Sequence, residues 1–133
     1  MILLDTHAAL WFATDNGLLG KRCQRAVDRA LDDDQLAVSA ISFWEIALLI
    51  AKRRVRSVDS ASETRDFILR AGIGELTVTG EIAILAGELG SLHGDPADRF
   101  IAATAIVHDA TLVTADEKLL RWRHRLRRQN AEL

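Results

Sequence analysis

Four acidic residues in this 133-residue chain interrupt or end apolar runs, where solubility alone does not explain a carboxylate. Asp5 closes the opening run in "ILLDTHAALW", and Asp116 repeats that arrangement in "ATLVTADEKLL". Glu45 is the only ionisable residue between Ala40 and Ala51 in "SAISFWEIALLIA", and Asp98 falls in "GDPADRFIAATAIVHDA" at the start of an apolar helical pattern. Each has an ordinary alternative. Asp5 and Asp116 can cap helices, Ser42 and Glu45 can form a capping box, and Asp98 suits the dipole of a first helical turn. Four carboxylates gathered at one place repel one another unless they are protonated or bridged by a hard divalent cation. Mg²⁺ or Mn²⁺ is the economical choice, because one cysteine and four histidines offer little for zinc. Such an ion makes a water more acidic and aims it at phosphorus, so phosphodiester hydrolysis is the reaction class that follows. The hydroxyls of Thr6 and Thr114 flank the strand-end acids, either ordering them or making plain strand-end hydrogen bonds.

The elements that must position these acids follow from the apolar patterning. Strands are expected at residues 2–5, 35–39, 75–79 and 110–115, with a weaker fifth at 126–131. Leu19, Cys23, Ala26, Val27 and Ala30 keep a helical period, as do Ile82, Leu85 and Leu89. Ser60 three residues before Glu63 signals one helix start, and Asp95 followed by Pro96 signals another. A helix from about Ala40, apolar on nearly every side, is expected to be buried, which makes Glu45 costly there unless its charge is compensated. Alternating strands and helices predict an α/β fold, a three-layer α/β/α sandwich on a mainly parallel sheet of four or five strands. Ligands in such folds lie beyond the carboxyl ends of the strands, which is where Asp5 and Asp116 fall.

Length fits one domain over residues 1–133, and a composition of 49% hydrophobic and 27% charged residues is that of a globular protein. Cys23 is expected in the core, leaving no internal disulfide framework. No apolar run reaches the roughly 18 residues of a membrane span, so a soluble, cytoplasmic protein is expected. Net charge is −2, yet residues 1–120 carry 12 basic and 18 acidic side chains while "RWRHRLRR" holds five arginines. An acidic body with a basic edge suits a polyanion held on one face, or else a solvated C-terminal surface. Trp11 and Trp44 are expected to pack in the core or in a dimer seam, and Trp122, set among arginines, to stack on a base or to cover the sheet end.

With these stretches in view, the chain resembles the PIN-domain ribonucleases, and within them the VapC-type toxins of bacterial toxin–antitoxin pairs. The resemblance is carried by "LLDTHAALW", "VSAISFWEIALL", "GDPADRFIAATA" and "ATLVTADEKLL", in the family's order and spacing over essentially the whole chain. It implies a PIN-like fold and Asp5, Glu45, Asp98 and Asp116 as a catalytic quartet that holds Mg²⁺ or Mn²⁺, with Thr6 and Thr114 in support. It also implies an endoribonuclease that cuts RNA by a metal-activated water, a homodimer, and a VapB-like antitoxin that blocks the site. Arg99, Arg121, Arg123 and Arg125 are the arginines expected to steer RNA through its phosphates, with Arg99 alternatively pairing with a neighbouring acid. Asp95 competes with Asp98 for the site, and His7 is expected to pack on its helix.

Two rivals are weighed against this reading. A haloacid-dehalogenase-like phosphatase needs a second Asp two positions after the first, where this chain has His7. A catalytically silent PIN fold that only binds RNA or a partner leaves the mutual repulsion of four acids without a purpose.

Overall fold

The computed structural model describes residues 1–55, 60–92 and 94–133. Its strands are β1 (Ile2–Leu4), β2 (Leu36–Ser39), β3 (Gly74–Leu76), β4 (Thr111–Thr114) and β5 (Arg128–Asn130). The helices are α1 (Thr6–Thr14), α2 (Lys21–Asp32), α3 (Ile41–Ala51), α4 (Ala61–Arg70), α5 (Gly80–Glu88), α6 (Pro96–Val107) and α7 (Glu117–Arg121). The strands form one parallel sheet in the order β3-β2-β1-β4-β5.

Alternation along the central strands divides the core between the two faces of this sheet. Leu3, Ala37 and Leu112 pack with Ile82, Ile101 and Leu119, from α5, α6 and α7. Leu4, Val38 and Val113, the next residue in each strand, pack with Ala8, Cys23, Val27 and Ile68, from α1, α2 and α4. The expected α/β/α sandwich is therefore present, and Cys23 is buried in it, its thiol raised to about 11 mainly by loss of solvent. No helix among the described residues is long and apolar enough to cross a membrane.

Helix starts follow the expected chemistry. Ser60 Oγ accepts from the Glu63 amide at 3.3 Å, and Asp95 Oδ1 accepts from the Asp98 amide at 3.2 Å with Pro96 in the first turn. Three expectations need correction. The third strand ends at Leu76 rather than 79, because Thr79 leaves the sheet to cap α5, its Oγ1 accepting from the Ile82 amide at 3.2 Å. Helix α3 is not enclosed: it buries only Ser42 and Ile46, and Trp44 is 48% exposed. Periodicity reports how apolar a helix is, and no element among the described residues covers that face. Trp44 is thus not a core residue, whereas Trp122 is buried, its Nε1 donating to Ser91 Oγ at 3.0 Å and its ring stacked on His124.

Candidate active site

Sheet register brings the first two acids together. Leu4 lies opposite Val113, so the next residues, Asp5 and Thr114, leave the sheet side by side, and the Asp5 amide donates to Val113 O at 3.0 Å. Thr114 Oγ1 then donates to Asp5 Oδ2 at 2.5 Å while accepting from the Asp116 amide at 3.0 Å. One hydroxyl therefore ties the two strand-end acids. Both acids also cap the helix that follows: Asp5 Oδ1 accepts from the Ala8 amide at 2.8 Å, and Asp116 Oδ1 from the Lys118 and Leu119 amides at 2.7 and 3.2 Å. Capping and site-building are compatible here, because the caps are made through Oδ1 alone.

A second hydroxyl pair joins α1 to the helix of Glu45. Thr6 Oγ1 donates to Ser42 Oγ at 3.0 Å, and both residues are buried. The capping box from Ser42 to Glu45 does not form: α3 starts at Ile41 without a side-chain cap, which puts Ser42 and Glu45 inside the helix. Glu45 is half-buried and accepts no hydrogen bond from a described residue.

Asp5, Glu45, Asp98 and Asp116 line one cleft of about 330 Å³, together with Thr6, His7, Trp11, Asp95 and Glu132. Six carboxylates thus face the same space, with only His7 among the lining residues able to carry positive charge. The electrostatic result is clearest at Asp98, whose carboxyl is pushed up to about 8, first by burial and then by the charges of Asp95, Asp116, Glu45 and Asp5. Burial also raises the carboxyl of Asp5, opposed by the hydrogen bonds from Thr114 and Ala8 and by the nearby His7. An all-oxygen set that retains a proton for want of counter-charge suits a hard divalent ion, which would supply that charge. Among the described residues no group of three or more His, Cys, Asp or Glu side chains stands ready-made as a metal cage.

Two residues of this cleft lie outside the sequence expectation. His7, expected to pack on its helix, faces the cleft, and Glu132 reaches it from just beyond β5. Glu132 follows the rule that found Asp5 and Asp116, an acid after the carboxyl end of a parallel strand, but the strand before it carries no apolar signal. The arginines expected to steer RNA sit elsewhere. The Arg99 guanidinium donates to the carbonyls of Ala86 and Leu92 at 2.8 Å each and of Gly87 at 3.4 Å, closing the end of α5. Arg121 and Arg123 are exposed, and Arg125 lines a separate cleft with Asp109 and Ala110, before β4 begins. Because β4 and β5 are parallel, the segment leading into β5 lies at the amino edge of the sheet, across from the acids.

Comparison with known proteins identifies the family and the fold. The chain is 37% identical over 125 residues to Ribonuclease VapC22 of Mycobacterium tuberculosis, covering 92% of both chains. Its fold matches VapBC2 from Rickettsia felis bound to a promoter DNA fragment, with a TM-score of 0.70, 19% identity and 98% of each chain covered. It also matches VapBC-1 from nontypeable Haemophilus influenzae, with a TM-score of 0.67, 22% identity and the same coverage. The family model described as PIN domain fits residues 2–124, and the chain belongs to the PIN-domain family.

Proposed function

We propose that this chain is a single PIN domain acting as the endoribonuclease toxin of a type II toxin–antitoxin pair, with RNA as substrate and Asp5, Glu45, Asp98 and Asp116 as its working residues. The observation that carries the reading is the gathering of six carboxylates in one cleft, among them Asp98, whose carboxyl is pushed up to about 8 first by burial and then by the charges of Asp95, Asp116, Glu45 and Asp5. A structural protein gains nothing from that repulsion. The ribonuclease name of the relative and the VapBC composition of the fold neighbours support RNA as substrate and a VapB-like antitoxin as partner. The chain is read further as a cytoplasmic homodimer.

Asp5, Asp98, Asp116 and Glu45 are the residues that would hold Mg²⁺ or Mn²⁺. When bound, such an ion polarises the phosphate and lowers the pKa of a water. The chain's own contribution is positional. Thr114 fixes Asp5 relative to Asp116, and Thr6 with Ser42 fixes α1 relative to α3. Glu45, whose carboxylate accepts no hydrogen bond from a described residue, would also take a proton from the attacking water.

The test is cleavage of a mixed RNA pool by the antitoxin-free protein with Mg²⁺, Mn²⁺ or EDTA, beside Asp5→Asn at matched thermal stability. Asparagine keeps an oxygen for the cap on Ala8, whereas alanine loses about 0.5–2 kcal/mol of capping. Metal-dependent cutting that vanishes in the variant is the expected result. A folded protein that cuts nothing and shows no thermal shift with Mn²⁺ is a binding module instead.

A further inference from the structure

Two smaller clefts open from the acidic one. The first, of about 210 Å³, runs along α3 past Trp44 and Lys52 and shares Glu45 and Asp95 with it. The second, of about 240 Å³, runs beside α1 and shares His7 and Trp11 with it. Arg54 lines both, so each smaller cleft adjoins the other as well as the acidic one, and we treat the three together as one depression.

The chemistry of its walls is uneven in an informative way. Trp44 is 48% exposed on α3, and Trp11, half-buried against the core below, lines both the acidic cleft and the second one. Lys52 and Arg54 are exposed, and neither has an ion-pair partner among the described residues. A polyanion approaching six carboxylates is repelled at the centre, so it must be held at the flanks by fixed positive charge. Exposed aromatic faces beside such cations are what single-stranded nucleic acid uses for binding, bases stacking while the cations track phosphates. A peptide segment would find the apolar wall adequate but would give Lys52 and Arg54 no role unless it were acidic, and the neighbouring cleft disfavours an acidic peptide.

We infer that this depression is a groove for single-stranded RNA, in which bases flanking the scissile phosphate stack on Trp44 and Trp11 while neighbouring phosphates lie on Lys52 and Arg54. The inference rests on the acidic cleft being the cleavage site. It moves RNA contact from the distant arginines of the amino edge to cations that share the depression with the acids.

Trp44→Leu and Arg54→Gln test it, since both side chains are exposed and leucine preserves the apolar character of α3. The probe is a fluorophore-labelled single-stranded oligoribonucleotide of mixed sequence, titrated by anisotropy at several salt concentrations into protein silenced by Asp5→Asn. Trp44→Leu is expected to weaken binding about tenfold and to remove most of the tryptophan quenching that RNA produces. Arg54→Gln should weaken binding several-fold and flatten the dependence of log Kd on log salt by about 0.7, the share of one phosphate contact on a single strand. In the active protein both changes raise KM and leave kcat in place. Unchanged affinity, quenching and salt slope in both variants overturn the inference and leave the groove to a protein segment. A slope that falls in Arg123→Gln but not in Arg54→Gln overturns it too, placing RNA on the opposite edge. If the otherwise unaltered protein cuts no RNA, the cleavage reading fails; if it cuts, and KM is unmoved by either substitution, only the groove fails.

Discussion

The carboxyl edge of the sheet gathers acids and the β5 side of its amino edge gathers arginines, with Asp32, Asp33, Asp34 and Asp109 also at the amino edge, and topology explains part of this pattern. In a parallel α/β fold each strand's carboxyl end leads into a helix N-terminus, so unsatisfied amides collect along one edge and unsatisfied carbonyls along the other. At the carboxyl edge Asp5, Asp95 and Asp116 cap α1, α6 and α7. At the amino edge Arg128 donates to the carbonyls of Leu119 at 2.6 Å and His124 at 2.8 Å, and Arg127 donates to that of Asp109. Much of the charge asymmetry is therefore capping. What capping leaves over differs between the edges: at the carboxyl edge Glu45, Asp98 and Glu132 line the cleft without capping a helix through their side chains. Function is assigned to Glu45 and Asp98 from that remainder, together with Asp5 and Asp116, which cap a helix and line the cleft at once.

The largest effect should separate the edges outright. Asp5→Asn and Asp98→Asn are expected to lower the initial rate of RNA cleavage about a hundredfold or more, because removing a group that organises charge at the reacting phosphate costs that order of rate. Arg123→Ala and Arg125→Ala should change it by less than about twofold in the same assay at moderate salt. An arginine variant as damaging as an aspartate one would break the division of labour between the edges.

Next in size is Arg99→Ala. Its guanidinium is committed to three carbonyls around the end of α5, and hydrogen bonds from a charged donor are each worth more than neutral ones. A loss of about 2–3 kcal/mol is expected, read from the urea midpoint. Activity per folded molecule should stay near that of the parent. A folded variant that has lost RNA affinity would return Arg99 to the role its place beside Asp98 suggested.

What the sequence disclosed and what it hid divide along the same physical line. Strands β1, β2 and β4 are central and buried on both faces, so they read as apolar runs ended by a polar residue, and the acids after β1 and β4 read with them. Strand β5 is an edge made of Arg128, Gln129 and Asn130, half-buried and without alternation, so Glu132 went unseen beyond it. For Arg99 and Arg125 the sequence counts a guanidinium without recording that carbonyls occupy the first or that the second lies toward the amino edge. Of the two readings of Trp44, packing in the core fails, because apolar character alone does not say whether a helix face is covered within its own chain.

A third prediction concerns pH and sharpens the account of the acidic edge. An unfolded Asp98 ionises near 3.8, whereas the native carboxyl holds its proton to about 8. Between those values the native state binds more protons than the unfolded one, so without divalent ions stability falls as pH rises from about 4 to about 8 and levels off beyond. Asp5, also raised, acts in the same sense. Asp98→Asn should flatten the slope and gain about 1–2 kcal/mol at pH 8, less than the whole shift implies because the side chain is only half-buried. Mn²⁺ should raise the melting temperature more at pH 8 than at pH 5, since at pH 5 it must displace the proton. A stability profile that is flat from pH 4 to 8 in EDTA would mean the carboxylates do not couple.

The smallest effect belongs to the amino edge and tests whether its charges matter as charges. Arg127 pairs with Asp109 at 3.1 Å, but the two side chains are 57% and 91% exposed, so water screens the pair. Arg127→Ala is therefore expected to cost less than about 1 kcal/mol. Arg128→Ala should cost more, because the half-buried guanidinium of Arg128 satisfies the carbonyl of Leu119 in α7 and that of His124 beyond it. Comparing the two urea midpoints at low and high salt separates the contributions. If Arg127→Ala is the more damaging and its cost shrinks with salt, the edge is held by ion pairs. If Arg128→Ala is the more damaging and salt barely alters it, the arginines act by completing helix ends, as the acids do across the sheet.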